Sequence, residues 1–151
     1  MTDRTQKLSE HFTLGDFLVD ATFPALAAEL DPDEATVANL RRLAGAIEQV
    51  ITKFPGEWKV LSGFRDVKLN EACRNAGLPA SVDSLHLTGC AADVEPQGDV
   101  DLEAVFEWVT EQAKGDDLGV HESVFYPLKG FIHLGVEDER RPTAKRFLMR
   151  T

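Results

Sequence analysis

Residues 84–93 read Ser-Leu-His-Leu-Thr-Gly-Cys-Ala-Ala-Asp, so a histidine and an aspartate flank a run that contains a glycine and two alanines. His86 and Asp93 combine an imidazole with a carboxylate, and zinc takes both ligands in proteins. A third ligand must come from elsewhere, and His133, in Gly-Phe-Ile-His-Leu-Gly-Val, is the best candidate. Three protein ligands leave one tetrahedral position open to water, as catalytic zinc sites do. We therefore expect the ligating atoms of these side chains to converge within about 4 Å of one another.

Alternation along two apolar stretches predicts which way these ligands point. In residues 130–136 the even-numbered positions are apolar and should face the core, which turns His133 to the other face. In residues 89–94 the same pattern places Asp93 with its small neighbours. Small residues there would let a metal ion or a substrate backbone approach closely. The alternatives are a core or surface histidine and a solvent-facing aspartate, which are common when such residues stand alone.

The composition is typical of one soluble globular domain. Its 151 residues are 43% hydrophobic and 28% charged, which suffices for a hydrophobic core that needs no disulfide bonds or structural metal. We predict a single domain over residues 1–151, in which residues 1–12 are a polar lead-in. A net charge of −10 argues against broad binding to nucleic acid or anionic membranes. No apolar run of transmembrane length and no secretory signal are visible, which predicts cytoplasmic synthesis without membrane insertion. The sequence does not indicate an oligomeric state.

Two cysteines, Cys73 and Cys90, are predicted to be reduced, because thiols in a chain without a secretory signal seldom form a structural disulfide. A bond between the two is the alternative. Cys90 falls on the apolar face of its stretch, which favours a core residue over a metal ligand.

Four helices are predicted from caps and apolar spacing. Thr13 should cap a short helix. The run Asp31-Pro32-Asp33-Glu34 reads as a cap, a proline at the first helical position and an acidic first turn, and it opens a long core helix to about residue 53. Asp66 should cap a third helix, and either Asp99 or Asp101 a fourth. Residues 21–30, which contain a proline, are expected to be irregular.

Four further stretches read as strands. They are residues 58–62, 118–126, 130–136 and 146–149, and the second and third are joined by the turn Pro127-Leu128-Lys129. Helices and strands together predict an α+β domain with a small antiparallel sheet packed against helices.

The motifs in their order resemble the M15 group of zinc D,D-peptidases. They are Leu8-Ser9-Glu10-His11-Phe12-Thr13-Leu14, Ser62-Gly63-Phe64-Arg65, Leu69-Asn70, the pattern Ser84-x-His86-x-x-Gly89-x-Ala91-x-Asp93, and His133 in a late strand. The likeness covers nearly the whole chain and is nearest to the branch of phage endolysins and bacterial cell-wall carboxypeptidases. That branch shares its fold with the signalling domain of hedgehog proteins, so the resemblance implies a hedgehog/DD-peptidase-like fold.

The resemblance implies a role for each matching residue. His86, Asp93 and His133 match the ligands of a catalytic Zn²⁺. Arg65 matches an arginine that stabilises the substrate carbonyl or its oxyanion, and Ser84 a position at the rim of the site. The activity implied is that of a D,D-carboxypeptidase or endopeptidase, a hydrolase that cuts bonds involving D-alanine in peptidoglycan stem peptides or cross-links. Delivery to the cell wall would follow release by a phage or a holin.

One departure from the family concerns the general base. Many members carry a proton-accepting side chain two or three residues before the last ligand, where this chain has Phe131 and Gly130. His121 and Glu122 on the preceding strand are the available substitutes. A regular hairpin would put His121 near His133, as a base, a partner that orients a ligand, or a fourth ligand, so we rank it above Glu122. A β-bulge would exchange the two.

The missing base also favours a different class of function. The chain could be a non-catalytic module of the same fold, zinc-stabilised or metal-free, that binds a wall peptide or a protein partner. A structural role in a phage particle or lysis cassette is a third alternative. The complete ligand set favours the enzyme, because a protein without use for zinc has little reason to keep three ligands on one face.

Overall fold

Five strands form one sheet in the computed structural model, which describes residues 2–115 and 118–150. They are β1 (Trp58–Ser62), β2 (Ala91–Pro96), β3 (Val120–Tyr126), β4 (Phe131–Val136) and β5 (Arg146–Met149). Their spatial order is β1-β2-β4-β3-β5. Neighbours are antiparallel except β3 and β5, which are parallel. The α+β class is confirmed, and the wholly antiparallel sheet was wrong, because the chain makes a long excursion after β4 before it returns as β5.

Four α-helices and two 3-10 helices accompany the sheet. They are the 3-10 helix Leu14–Phe17, α1 (Pro24–Ala28), α2 (Glu34–Lys53), α3 (Val67–Asn75), the 3-10 helix Leu85–Thr88 and α4 (Leu102–Lys114). Helix α2 packs on β2 and β4 and helix α4 on β3 and β4. Fully buried side chains of α2, α4 and the strands form one core. The ends of the predicted domain, Met1 and Thr151, lie outside the described residues.

Two helix predictions needed correction. The cap of α2 is Asp33 rather than Asp31, because the Asp33 carboxylate accepts the backbone N–H of Thr36. Residues 21–30 are not wholly irregular, since Pro24 opens the short helix α1. Proline fits the first helical position because the N–H that it lacks has no partner there. The caps Thr13, Asp66 and Asp101 are as predicted, and so are the helices that they begin.

Strand alternation on β2 and β4 is as predicted. Ala92, Val94 and the even-numbered residues of β4 are buried, whereas Asp93 and His133 line the cleft on the other face. Strand β3 departs from regular pairing, because Val120 pairs with Val136 and the next partner is Glu122 with Gly135. This bulge at His121 shifts the rest of β3 by one residue. Val124 consequently lines the open face together with Glu122 and Tyr126.

Both cysteines are free and buried, as predicted. Cys90 lies in the core cluster together with Cys73. In the part of the chain that the structure describes, no helix combines the length and the apolar character needed to cross a membrane.

Candidate metal centre

His86 is held by one hydrogen bond from its backbone and one from its ring. It lies in the 3-10 helix Leu85–Thr88, and its backbone N–H donates to the Ser84 hydroxyl at 3.2 Å. Its Nδ1 lies 2.7 Å from the carbonyl oxygen of Gly63. Because a carbonyl oxygen only accepts hydrogen bonds, Nδ1 carries the proton and Nε2 presents a lone pair. Ser84 lines the cleft, and its hydroxyl caps this helix.

A glycine makes the sharp connection between His86 and the strand of Asp93. Gly89 has φ of 76°, which side chains rarely adopt, and it ends the 3-10 helix. A Cβ atom at Gly89 would lie 2.8 Å from the carbonyl oxygen of Thr36 on α2. Only glycine therefore permits both the turn and the close packing on α2.

Asp93 and His133 come from neighbouring strands and are direct partners in the β2–β4 register. Asp93 Oδ1 lies 3.0 Å from His133 Nδ1 and 3.4 Å from His86 Nε2. One ligand atom from each of the three residues lies within 4.8 Å of the others. The predicted convergence of the three side chains is confirmed.

The chemistry of these atoms fits a bound cation. His133 Nε2 lies 2.7 Å from Glu122 Oε1, so a proton on Nε2 donates to that carboxylate. His133 Nδ1 then faces Asp93 with a lone pair, as His86 Nε2 does. Three acceptors that face one another without a proton repel unless a positive charge lies among them. Two imidazoles and a carboxylate are a ligand set that zinc takes.

The pKa values respond to the same crowding. Burial raises the pKa of Asp93, but the neighbouring His86 and His133 outweigh it and hold that pKa well below its usual range. Burial and the positive charge of Arg65 lower the pKa of His86. Burial opposes charge on His133 too, yet hydrogen bonds to Asp93 and Glu122 raise its pKa to about 9. Without a metal, His133 therefore carries the second proton that relieves the repulsion.

Our ranking of His121 above Glu122 was wrong in its geometry. The bulge places Glu122, not His121, opposite Gly135, and the Glu122 carboxylate reaches His133. The His121 ring turns away, with Nε2 at 2.6 Å from the carbonyl oxygen of Thr143. His121 is thus neither beside the centre nor in place to be a fourth ligand. Glu122 is the proton-accepting side chain that the site contains.

Arg65 lies beside Asp93 and is held by several neighbouring groups. Its side chain is buried and lines the cleft. Nη2 lies 3.6 Å from Asp93 Oδ2, and Nε donates to Ser62 Oγ at 3.0 Å. Ser62 in turn donates to Asp20 Oδ2 at 3.0 Å. Among the described residues, Nη1 is buried without a hydrogen-bond partner.

Sequence reasoning missed Asp20 altogether. Its carboxylate is buried, accepts two backbone N–H groups, from Thr22 and Phe23, and receives the Ser62 hydroxyl. A bridge between Asp20 and Ser62 brings this segment to the edge of β1. No local pattern distinguishes Asp20 from a surface turn aspartate, because the partner that ties it to the site, Ser62, lies far along the chain.

An open cleft of about 1180 Å³ lies over these residues. Its floor is the uncovered face of β2, β4, β3 and β5, and its walls are residues 77–86 and 141–146. Tyr126, also unforeseen, lies on this floor and stacks on Phe131 with ring centroids 4.7 Å apart. Burial and the charge of Asp93 raise the pKa of Tyr126, so its hydroxyl keeps its proton.

Comparison with known proteins adds no relative. No protein-family model matches this chain, and no curated protein is significantly similar to it. The resemblance to the M15 group therefore rests on the motifs quoted above, and the function is argued from the site.

Proposed function

We propose that this protein is a zinc-dependent peptidase that hydrolyses bonds involving D-alanine in peptidoglycan stem peptides or cross-links. The observation that carries the proposal is the convergence of one ligand atom each from His86, Asp93 and His133 in an open cleft that Arg65 and Glu122 also line. His86, Asp93 and His133 would hold the ion. Zinc bound there would supply a Lewis acid that polarises the scissile carbonyl and activates water.

Glu122 is the residue that we propose as general base. Burial raises its pKa, but the His133 hydrogen bond and the nearby positive charges lower that pKa by more than burial raises it. The carboxylate is therefore ionised at neutral pH. One oxygen orients His133, while the other lies 3.3 Å from Nε of the half-exposed Arg146. The loosely paired oxygen can accept a proton from the attacking water and return it to the leaving amine.

Arg65 would stabilise the negative charge that develops on the substrate oxygen. Its guanidinium is fixed by Ser62, which is itself fixed by Asp20, so little reorganisation is needed when that charge appears. The nearby Asp93 carboxylate balances the arginine when no substrate is bound.

The substrate class comes from the family resemblance, and so does the expectation that the protein reaches the wall after release by a phage or a holin. An extended cleft of this size can receive a short peptide, which is consistent with both exo- and endopeptidase action. A wall-peptide-binding module without catalysis is the alternative.

The deciding experiment combines metal analysis with product analysis. Protein purified without added metal is assayed for zinc by elemental analysis, then loaded with zinc and incubated with a stem pentapeptide that ends in D-Ala-D-Ala and with a cross-linked dimer. Mass spectrometry should detect a product that a chelator prevents. If zinc binds in equimolar amount but neither substrate is cleaved, the peptidase proposal fails and the binding module takes its place.

A further inference from the structure

Strand β5 turns two arginines toward the cleft. In the parallel register Glu122 pairs with Arg146 and Val124 with Leu148, and the Arg150 N–H continues the ladder to the Phe125 carbonyl oxygen at 2.8 Å. Paired residues of neighbouring strands point to the same side of a sheet. Arg146 and Arg150 therefore share the face of Glu122, and both line the cleft.

The β3–β4 turn adds a positive charge at the end of the cleft where Arg150 lies. Lys129 Nζ lies 5.8 Å from the centre of the Tyr126 ring, over the aromatic pair that Tyr126 makes with Phe131. Lys129 and Arg150 are both exposed. Within residues 2–115 and 118–150, neither side chain has a carboxylate partner.

The charge of the cleft contrasts with that of the whole chain. The chain has 26 acidic and 16 Lys or Arg residues. Five of the basic residues line the cleft, against four acidic ones. Three of these four, Asp20, Asp93 and Glu122, are already engaged by Ser62, the histidines or Arg146. An anion that most of this acidic surface repels is attracted to this end of the cleft.

Position along the strands relates this basic end to the metal centre. Tyr126 pairs with Phe131, and Val124 pairs with His133. The basic end thus lies two residues from His133, which is roughly 7 Å along a strand. That is about the length of two residues of an extended peptide.

We propose that Lys129 and Arg150 form a subsite for a carboxylate carried by the bound peptide one or two residues from the scissile bond. The inference rests on the proposed function, because it names the peptides that the cleft prefers: acidic ones. The apolar stack of Tyr126 on Phe131 supports the peptide backbone between the carboxylate and the metal centre.

The test measures binding rather than cleavage. Isotope-labelled, metal-free protein is titrated by NMR with the blocked pentapeptides Ala-Ala-Glu-Ala-Ala and Ala-Ala-Gln-Ala-Ala, which differ only in the side-chain charge. We expect the Glu peptide to bind roughly fivefold more tightly at low salt and to shift the amides of Lys129 and Arg150. High salt should reduce the preference.

Two double variants separate this subsite from general electrostatics. Lys129→Gln with Arg150→Gln should abolish the preference. Lys59→Gln with Arg74→Gln removes the same charges from exposed positions outside the cleft and should retain it. Arg146 is left intact because it contacts Glu122. The inference is overturned if wild type shows no preference, or if both double variants retain it. If wild-type protein prefers the Glu peptide but hydrolyses no wall peptide, only the peptidase proposal fails.

Discussion

Among residues 2–115 and 118–150, two groups of histidine and carboxylate side chains each bring three possible ligand atoms together. One is His86, Asp93 and His133 in the cleft, and the other is the surface group of Glu10, His11 and Glu48. In the surface group every oxygen of Glu48 has a proton donor, since one accepts from Ser9 and the His11 backbone and the other faces the His11 ring. In the cleft group the donors point outward, to Gly63 and Glu122, and lone pairs are left facing inward.

This difference teaches that residue types alone do not make a metal site. The surface group does not need an ion, because both oxygens of its carboxylate already accept hydrogen bonds from other groups of the protein. The cleft group is incomplete without either an extra proton or a cation. Orientation by outer hydrogen bonds is what leaves a ligand atom available to a metal.

The largest effect should come from removing a cleft ligand. His133→Ala should reduce zinc affinity by more than about a hundredfold and should abolish hydrolysis. Loss of a residue that only orients a ligand weakens metal binding by at most about a hundredfold, and loss of a ligand should weaken it more. His11→Ala is the matched control and should retain full zinc content, as measured by elemental analysis after dialysis. Loss of zinc in His11→Ala instead would remove the distinction between the two groups.

A smaller effect separates the two tasks of Glu122. Glu122→Gln can still accept the His133 hydrogen bond but cannot take a proton, so it should keep zinc and lose about 10²- to 10⁴-fold in kcat. Glu122→Ala should in addition weaken zinc binding by about 10- to 100-fold. His121→Ala, one residue away, should alter neither kcat nor zinc affinity by comparable factors. A Gln variant with wild-type kcat would exclude Glu122 as the base.

Arg65 adds a fixed positive charge to the cleft group that the surface group lacks. Arg65→Ala should lower kcat/KM by about 10²- to 10³-fold, as loss of a transition-state donor does. The buried Asp20 and Asp93 would also lose their cation, so the free energy of unfolding in urea should fall by about 3 kcal/mol. Arg65→Lys keeps the charge and should recover part of the stability. Wild-type activity in the alanine variant would reduce Arg65 to a structural residue.

The smallest effect concerns the pH response of the surface group. Its hydrogen bond to Glu48 raises the pKa of His11 above 6.5, and that contribution to stability is lost as pH rises through the raised value. Burial opposes ionisation of Glu48, but bonds from Ser9 and His11 lower its pKa below 4.5, and its contribution is lost as pH falls through that value.

The His11–Glu48 contribution should therefore be greatest between about pH 4.5 and 6.5 and fade in alkali. The difference between wild type and His11→Ala in the free energy of unfolding by urea measures this contribution. We expect that difference to be larger near pH 5.5 than near pH 9. An equal difference at both would mean that the pair contributes no pH-dependent stability.

Local patterns predicted much of the fold. Strand β1, the caps Thr13 and Asp66 and the faces of Asp93 and His133 follow from side-chain chemistry within a few residues. The convergence of His86, Asp93 and His133 was predictable because spacing and alternation constrain where these side chains point. The sequence could not decide whether His121 or Glu122 lies beside His133, because the position of a β-bulge depends on the pairing with the neighbouring strand. The role of Asp20 could not be predicted from the sequence either, because it arises only when β1 and the segment before α1 meet.

The reciprocal backbone contacts between residues 63–65 and His86 have a dynamic consequence. Gly63 receives the His86 ring proton, and the Arg65 N–H donates to the His86 carbonyl oxygen at 3.0 Å. A local opening that frees the histidine must also release the arginine, since each segment fastens the other. Metal binding should consequently slow hydrogen exchange at the Arg65 amide, although this residue is not a ligand. The ligand and the arginine therefore open and close as one cooperative unit.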